Sequence, residues 1–90
     1  MHICLLTTQD LDADPFPDDD WPCDPRPFMP EATWHVAPLE GKIESVRQVE
    51  ALIDENRFDL FFNLCDGAAD QDIPGIEIIQ KLEQRGVPYA

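Results

Sequence analysis

Ninety residues limit the chain to one domain, and an apolar share of 43% is that of an ordinary globular protein. Nineteen acidic residues against six basic ones leave a net charge of −13, which excludes nucleic acid and an anionic membrane surface as partners, since both need clustered Lys and Arg. A cationic or amine-bearing partner remains compatible with that charge.

The first apolar run, Ile3-Cys4-Leu5-Leu6 within residues 2–7, reads as a strand buried on both faces. It follows Met1-His2 with no basic n-region. It is also too short for a signal or a membrane span, so the expected compartment is the cytoplasm. Thr7 and Thr8 end the strand. Residues 9–31 then hold six of the nine prolines and seven aspartates. Asp14 to Asp20 and Pro25-Arg26-Pro27 suit neither a helix nor a central strand, so residues 9–31 read as one long acidic loop. Trp21, Phe28 and Trp34 are expected to pack it down, with contact to a partner as the alternative.

Residues 33–36 predict a second short strand closed by Pro38. A helix opens at Glu44 or Ser45. Val46, Val49, Leu52 and Ile53 form its apolar stripe, Arg47, Glu50, Asp54 and Glu55 its outer face, and it ends at Asn56 or Arg57. Residues 58–64 predict a third buried strand, broken by Cys65-Asp66-Gly67. A second helix begins near Pro74 behind Asp70 and Asp72, as acidic residues and Pro favour a first turn. Ile76, Ile79 and Leu82 form its stripe, Glu77 and Lys81 an i,i+4 pair, and Gly86 its C-terminal stop. Val87 to Ala90 begin a fourth strand, where a natural protein is expected to continue.

The order β–loop–β–α–β–α–β implies an α/β fold: a small open parallel sheet with helices on its faces. Without the loop, the remainder is the size of a domain that buries only ~60% of its unfolded surface. It is therefore expected to fold marginally or against something else. Ligands of such sheets sit beyond the carboxyl ends of the strands. Two segments fall there: Thr7-Thr8-Gln9-Asp10, and Asn63-Leu64-Cys65-Asp66-Gly67. The second leads into a helix start with free N–H groups.

The run Phe58-Asp59-Leu60-Phe61-Phe62-Asn63-Leu64-Cys65-Asp66-Gly67, then Pro74-Gly75-Ile76-Glu77, then Leu82-Glu83-Gln84-Arg85-Gly86-Val87-Pro88-Tyr89, resembles the N-terminal (pre-ATP-grasp) domain of D-alanine–D-alanine ligases and related ATP-grasp enzymes. The resemblance covers residues 58–90, and the first strand loosely. It implies a Rossmann-like half at residues 1–90, truncated before the ATP-grasp domains of the same polypeptide, which would hold ATP and Mg²⁺. It further implies that this domain walls the substrate side of an ATP-dependent carboxylate–amine ligase and is not active alone. Asp66, Gly67, Asn63, Thr8 and Asp10 are then the residues expected to meet a small amine or amino-acid substrate. No catalytic residue and no metal ligand is expected in this chain. A homodimer is compatible with the family.

The departures from the family are specific. Thr7-Thr8-Gln9-Asp10 stands where the family has a Gly-rich segment with a glutamate that holds the substrate amine. Asp66 stands for the His before Gly, and the loop after Gly67 lacks Gly-Glu-Asp. An amine or amino-acid substrate fits these changes. Each candidate also has a plainer role: Asp66 as a turn former, Asn63 as a partner for backbone groups, Cys65 as a small buried hydrophobe. Cys4, Cys23 and Cys65 make an odd count without a CxxC, so neither a disulfide framework nor a zinc ribbon is indicated. His2 and His35 lack enough further ligands for zinc. Asp18-Asp19-Asp20 lacks the Gly and terminal Glu of a calcium loop. The alternative reading is a receiver-like module with Asp10 and Asp66 as its acids, or an acidic protein-interaction module without chemistry. Against a receiver stand the unpaired acid after the first strand and the missing later lysine. No basic residue except Arg26 is expected near the strand ends.

Overall fold

The computed structural model describes residues 1–8, 25–65 and 74–90. It is an α/β fold with three parallel strands, β1 (His2–Thr7), β2 (Thr33–Pro38) and β3 (Leu60–Asn63), and two helices, α1 (Lys42–Asp54) and α2 (Ile76–Arg85). The sheet order is β2-β1-β3, with both pairings parallel. The expected fourth strand is present as a single bridge from Phe61 to Tyr89. Three backbone hydrogen bonds join residues 88–90 to Phe61 and Asn63.

β1 is central because its sequence can be buried on both faces. Ile3, Cys4, Leu5 and Leu6 are all fully buried. Cys4 and Leu6 join Ala37, Val49, Phe61, Ile78 and Leu82 in the core between sheet and helices. Ile3 and Leu5 point the other way, level with Trp34 and Val36 of β2 and Leu60 and Phe62 of β3. Both helices pack on the same face of the sheet, not one on each. The two helical crossovers, from β2 through α1 to β3 and from β3 through α2 to residues 88–90, run in the same direction across it, and right-handed crossovers in one direction share a side.

Local chemistry moves several boundaries from their expected places. α1 begins at Lys42, because Gly41 takes a φ of 74° as its N-cap and only glycine holds that region without cost. It ends at Asp54, short of the expected Asn56 or Arg57, and Asn56 takes a positive φ of 52°. β3 is shorter than residues 58–64. Phe58 turns to stack on His35, with centroids 5.5 Å apart, and Asp59 accepts the His2 N–H at 2.7 Å. α2 starts after Gly75, two residues past Pro74. Its buried pair is Ile78 and Leu82, while Ile76 is exposed and Ile79 half-buried. Gly86 closes it in the left-handed conformation, φ 68°, as expected.

The expected Glu77–Lys81 pair within α2 does not form. Glu77 meets Lys42 of α1 at 4.0 Å, and Lys81 donates to Glu50 of α1 at 3.0 Å. Arg85 donates to Asp54 at 2.6 Å. Three cross-helix pairs thus line the seam between the parallel helices, and Glu50 and Asp54 reach toward α2 from the solvent-exposed side. Within the expected loop, residues 25–31 include one 3₁₀ turn, Arg26–Phe28, with Pro27 in its first turn. Proline is tolerated there because no N–H is needed. Phe28 is exposed. Trp34 does pack, edge-on against Phe62, and donates its indole N–H to Met29. Trp21 and the rest of the acidic Pro-rich segment, residues 9–24, lie outside the described residues. No helix among the described residues is long and apolar enough to cross a membrane.

Candidate functional site

The chain leaves β1 toward β2 on one side and returns across β1 to β3 on the other. The reversal lies between β1 and β3, the position beyond whose strand ends open α/β sheets bind ligands. The register sets Leu6 level with Asn63 and Ala37, so the three strands finish together. Two backbone hydrogen bonds hold this edge. The Leu39 N–H donates to Thr7 O at 2.8 Å, and the Leu64 N–H donates to Leu6 O at 2.9 Å.

Thr7 is buried and Thr8, the next residue, is exposed at the edge. Asn63 is half-buried at the end of β3, and its side-chain oxygen accepts the Cys65 N–H at 3.0 Å. This is an Asx-type turn. It engages the carbonyl end of the side chain in closing the strand exit and leaves the NH₂ end as the donor for other contacts. Of the five residues expected to meet substrate, the structure describes Thr8 and Asn63 and brings them to adjacent strand ends. Asp10, Asp66 and Gly67 lie outside the described residues, as do Asp70 and Asp72.

Both helices begin at this edge, behind Gly41 and Gly75, and neither start is closed by a side-chain hydrogen bond among the described residues. Lys42 is the basic residue that sequence reasoning missed here. With the helix expected to open at Glu44 or Ser45, Lys42 fell into the preceding loop. The signal that would have found it is Gly41, a residue suited to the turn before a first helical position. Lys42 and Glu77 bridge the two helix starts. Arg26, expected near the strand ends, sits instead in the turn that leads into the beginning of β2.

The Cys4 thiol is not poised as a nucleophile. Cys4 and Cys65 are both buried, and burial pushes the Cys4 thiol up to about 12, far from the depressed range of reactive cysteines. Cys23 lies outside the described residues. Among the described residues, no three His, Cys, Asp or Glu side chains gather to hold a metal ion. Two open grooves of the described residues lie away from this edge. One, of about 450 Å³, runs between β2 and α1. The other, of about 300 Å³, lies between the helix C-termini and the start of β3.

Comparison of the chain with protein-family models, with curated proteins and with solved structures finds no match.

Proposed function

We propose that this chain is the substrate-side domain of an ATP-dependent carboxylate–amine ligase of the D-alanine–D-alanine ligase type, with a Rossmann-like half as its scaffold. The observation that carries the reading is the chain reversal between β1 and β3. There, Thr8 and Asn63 end neighbouring strands, and residues 88–90 extend the sheet beyond β3 in the same direction. The resemblance over residues 58–90 supplies the reaction class.

In such a ligase, ATP converts a carboxylate to an acyl phosphate and an amine displaces the phosphate. The described residues do not fit ATP or Mg²⁺. They gather no carboxylate cluster for a cation, and Lys42 at this edge already meets Glu77. No nucleotide step is therefore assigned to this chain. Its own part is to hold the amine. The Thr8 hydroxyl and the Asn63 carboxamide offer hydrogen bonds, and Asp66 and Asp10 supply negative charge that favours an ammonium group. The remaining ATP-grasp domains of the same polypeptide would close the other side.

The test is a ¹⁵N-resolved titration of the chain with D-alanine, glycine and ethylamine, and separately with Mg·ATP. The amines should move the amides of Thr8, Asn63 and Asp66, and Mg·ATP should move none. Amines that leave all three unshifted at 50-fold excess would remove the substrate-side role. Micromolar Mg·ATP binding would show a different site logic.

A further inference from the structure

The outer edge of the sheet at β2 carries an inference independent of the ligase reading. Among the described residues β2 pairs on one side only, with β1. The N–H groups of Thr33 and Leu39 donate to Met1 O and Thr7 O, each at 2.8 Å. Strand alternation then turns the N–H and C=O of Trp34 and Val36 outward, away from β1. Beyond Val36 the edge is closed. Pro38 has no N–H, and its carbonyl accepts the Gln48 Nε2 at 3.3 Å. The stretch open to pairing is therefore two residues long, with two donors and two acceptors.

α1 overhangs this stretch. Gln48, Ala51, Leu52 and Glu55 recur along one face of the helix, and between them and β2 runs the groove of about 450 Å³. Ala51 is exposed and Leu52 half-buried. A strand laid beside β2 would set alternate side chains against these two.

Charge selects the occupant. Glu31 just before β2 and Glu40 just after it are both exposed, Glu55 stands on the helix lip of the groove, and the whole chain carries −13. A second copy is the wrong partner. An antiparallel two-fold pairing with Trp34 opposite Val36 of the other copy would bring each Glu31 beside the other's Glu40. Like charges facing across strands are destabilising. Edge strands guard against self-pairing by such charges and by proline. We propose that the β2 edge receives an extended, basic segment of another protein as an added strand. Its apolar residues lie under Ala51 and Leu52, and its Lys or Arg residues reach Glu31 and Glu40.

The probe is the peptide acetyl-Lys-Val-Arg-Val-Lys-Val-Arg-amide, titrated at low salt into the ¹⁵N-labelled chain. The amides of Trp34 and Val36 should shift and exchange more slowly with solvent. Methylating the peptide's pairing amide nitrogens should weaken binding at least tenfold. The double variant Glu31→Lys, Glu40→Lys, whose spectrum reports its fold directly, should weaken it by a similar factor. Equal binding of the methylated peptide would mean charge attraction without strand addition, and would overturn the proposal. Shifts that spare Trp34 and Val36, or sedimentation showing a dimer paired through β2, would overturn it as well.

Discussion

β1 and β2 are paired strands of equal length, six residues each, yet five residues of β1 are buried and only one of β2. β1 has neighbours on both sides, and apolar side chains fill both of its faces. β2 is half-buried at Trp34, His35 and Val36, turns the backbone groups of Trp34 and Val36 outward, and has Glu31 and Glu40 beyond its two ends. The comparison separates two tasks. The central strand stabilises the fold by removing apolar surface from water. The edge strand keeps polar groups accessible, and charge controls what pairs with it.

The largest test of that contrast is truncation. Leu6→Ala should cost about 2–5 kcal/mol, as for other fully buried leucines, measured by urea denaturation. Val36→Ala, on the half-buried edge, should cost about 1 kcal/mol or less. Equal costs at the two positions would break the distinction between centre and edge.

The Cys4 thiol gives a second test of how dry the central strand is. Its pKa is raised in the fold to about 12, so the native state resists losing the proton while the unfolded chain releases it near its ordinary value. The unfolded state then binds fewer protons above about pH 9, and stability falls as pH rises from there toward 12. The fall is at most about 1.4 kcal/mol per pH unit. A Cys4→Ala variant should lose measurably less over the same interval. At pH 8 the native thiol should resist iodoacetamide for hours, read by intact mass, and rapid alkylation would show that β1 opens.

Gly86→Ala should cost about 1–2 kcal/mol, because φ there is 68° and the penalty is backbone strain. No atom lies within 4 Å of the added Cβ, so a larger loss would point to an altered helix end. The smallest effect is expected at the helix seam. Arg85→Gln removes the 2.6 Å contact with Asp54, but an exposed pair screened by water and salt contributes little. Thermal melts at low and high salt should bring the variant and the parent together. A larger, salt-insensitive loss would mean that the seam, like β1, is a structural centre.

Much of the scaffold was legible before the structure. The buried run at residues 3–6 has one good solution, a central strand. Gly86 announces a helix end because its φ suits few other residues. The failures share a cause. Ile76, Ile78 and Ile79 offered two apolar stripes on α2, and only the position of α1 selects the one that includes Ile78. Glu77 and Lys81 were correctly spaced for each other, but Lys42 and Glu50 on the neighbouring helix take them. Gly41 hid the start of α1, and with it Lys42, because glycine signals a turn without saying on which side the helix begins.

At the candidate site, the residue types and their approach to strand ends came from the one-dimensional order. Local composition determined that there are strands, helices and an acidic Pro-rich segment. It also supplied the resemblance that suggests a ligase. Only the tertiary structure decided that β3 lies across β1 from β2. That arrangement brings Thr8 and Asn63 to neighbouring strand ends, puts both helices on one face, and leaves Trp34 and Val36 at an edge unpaired among the described residues. The reason is physical: periodicity records which side chains avoid water, whereas neighbours across a sheet are chosen by contacts between residues about 55 positions apart, which no local window contains.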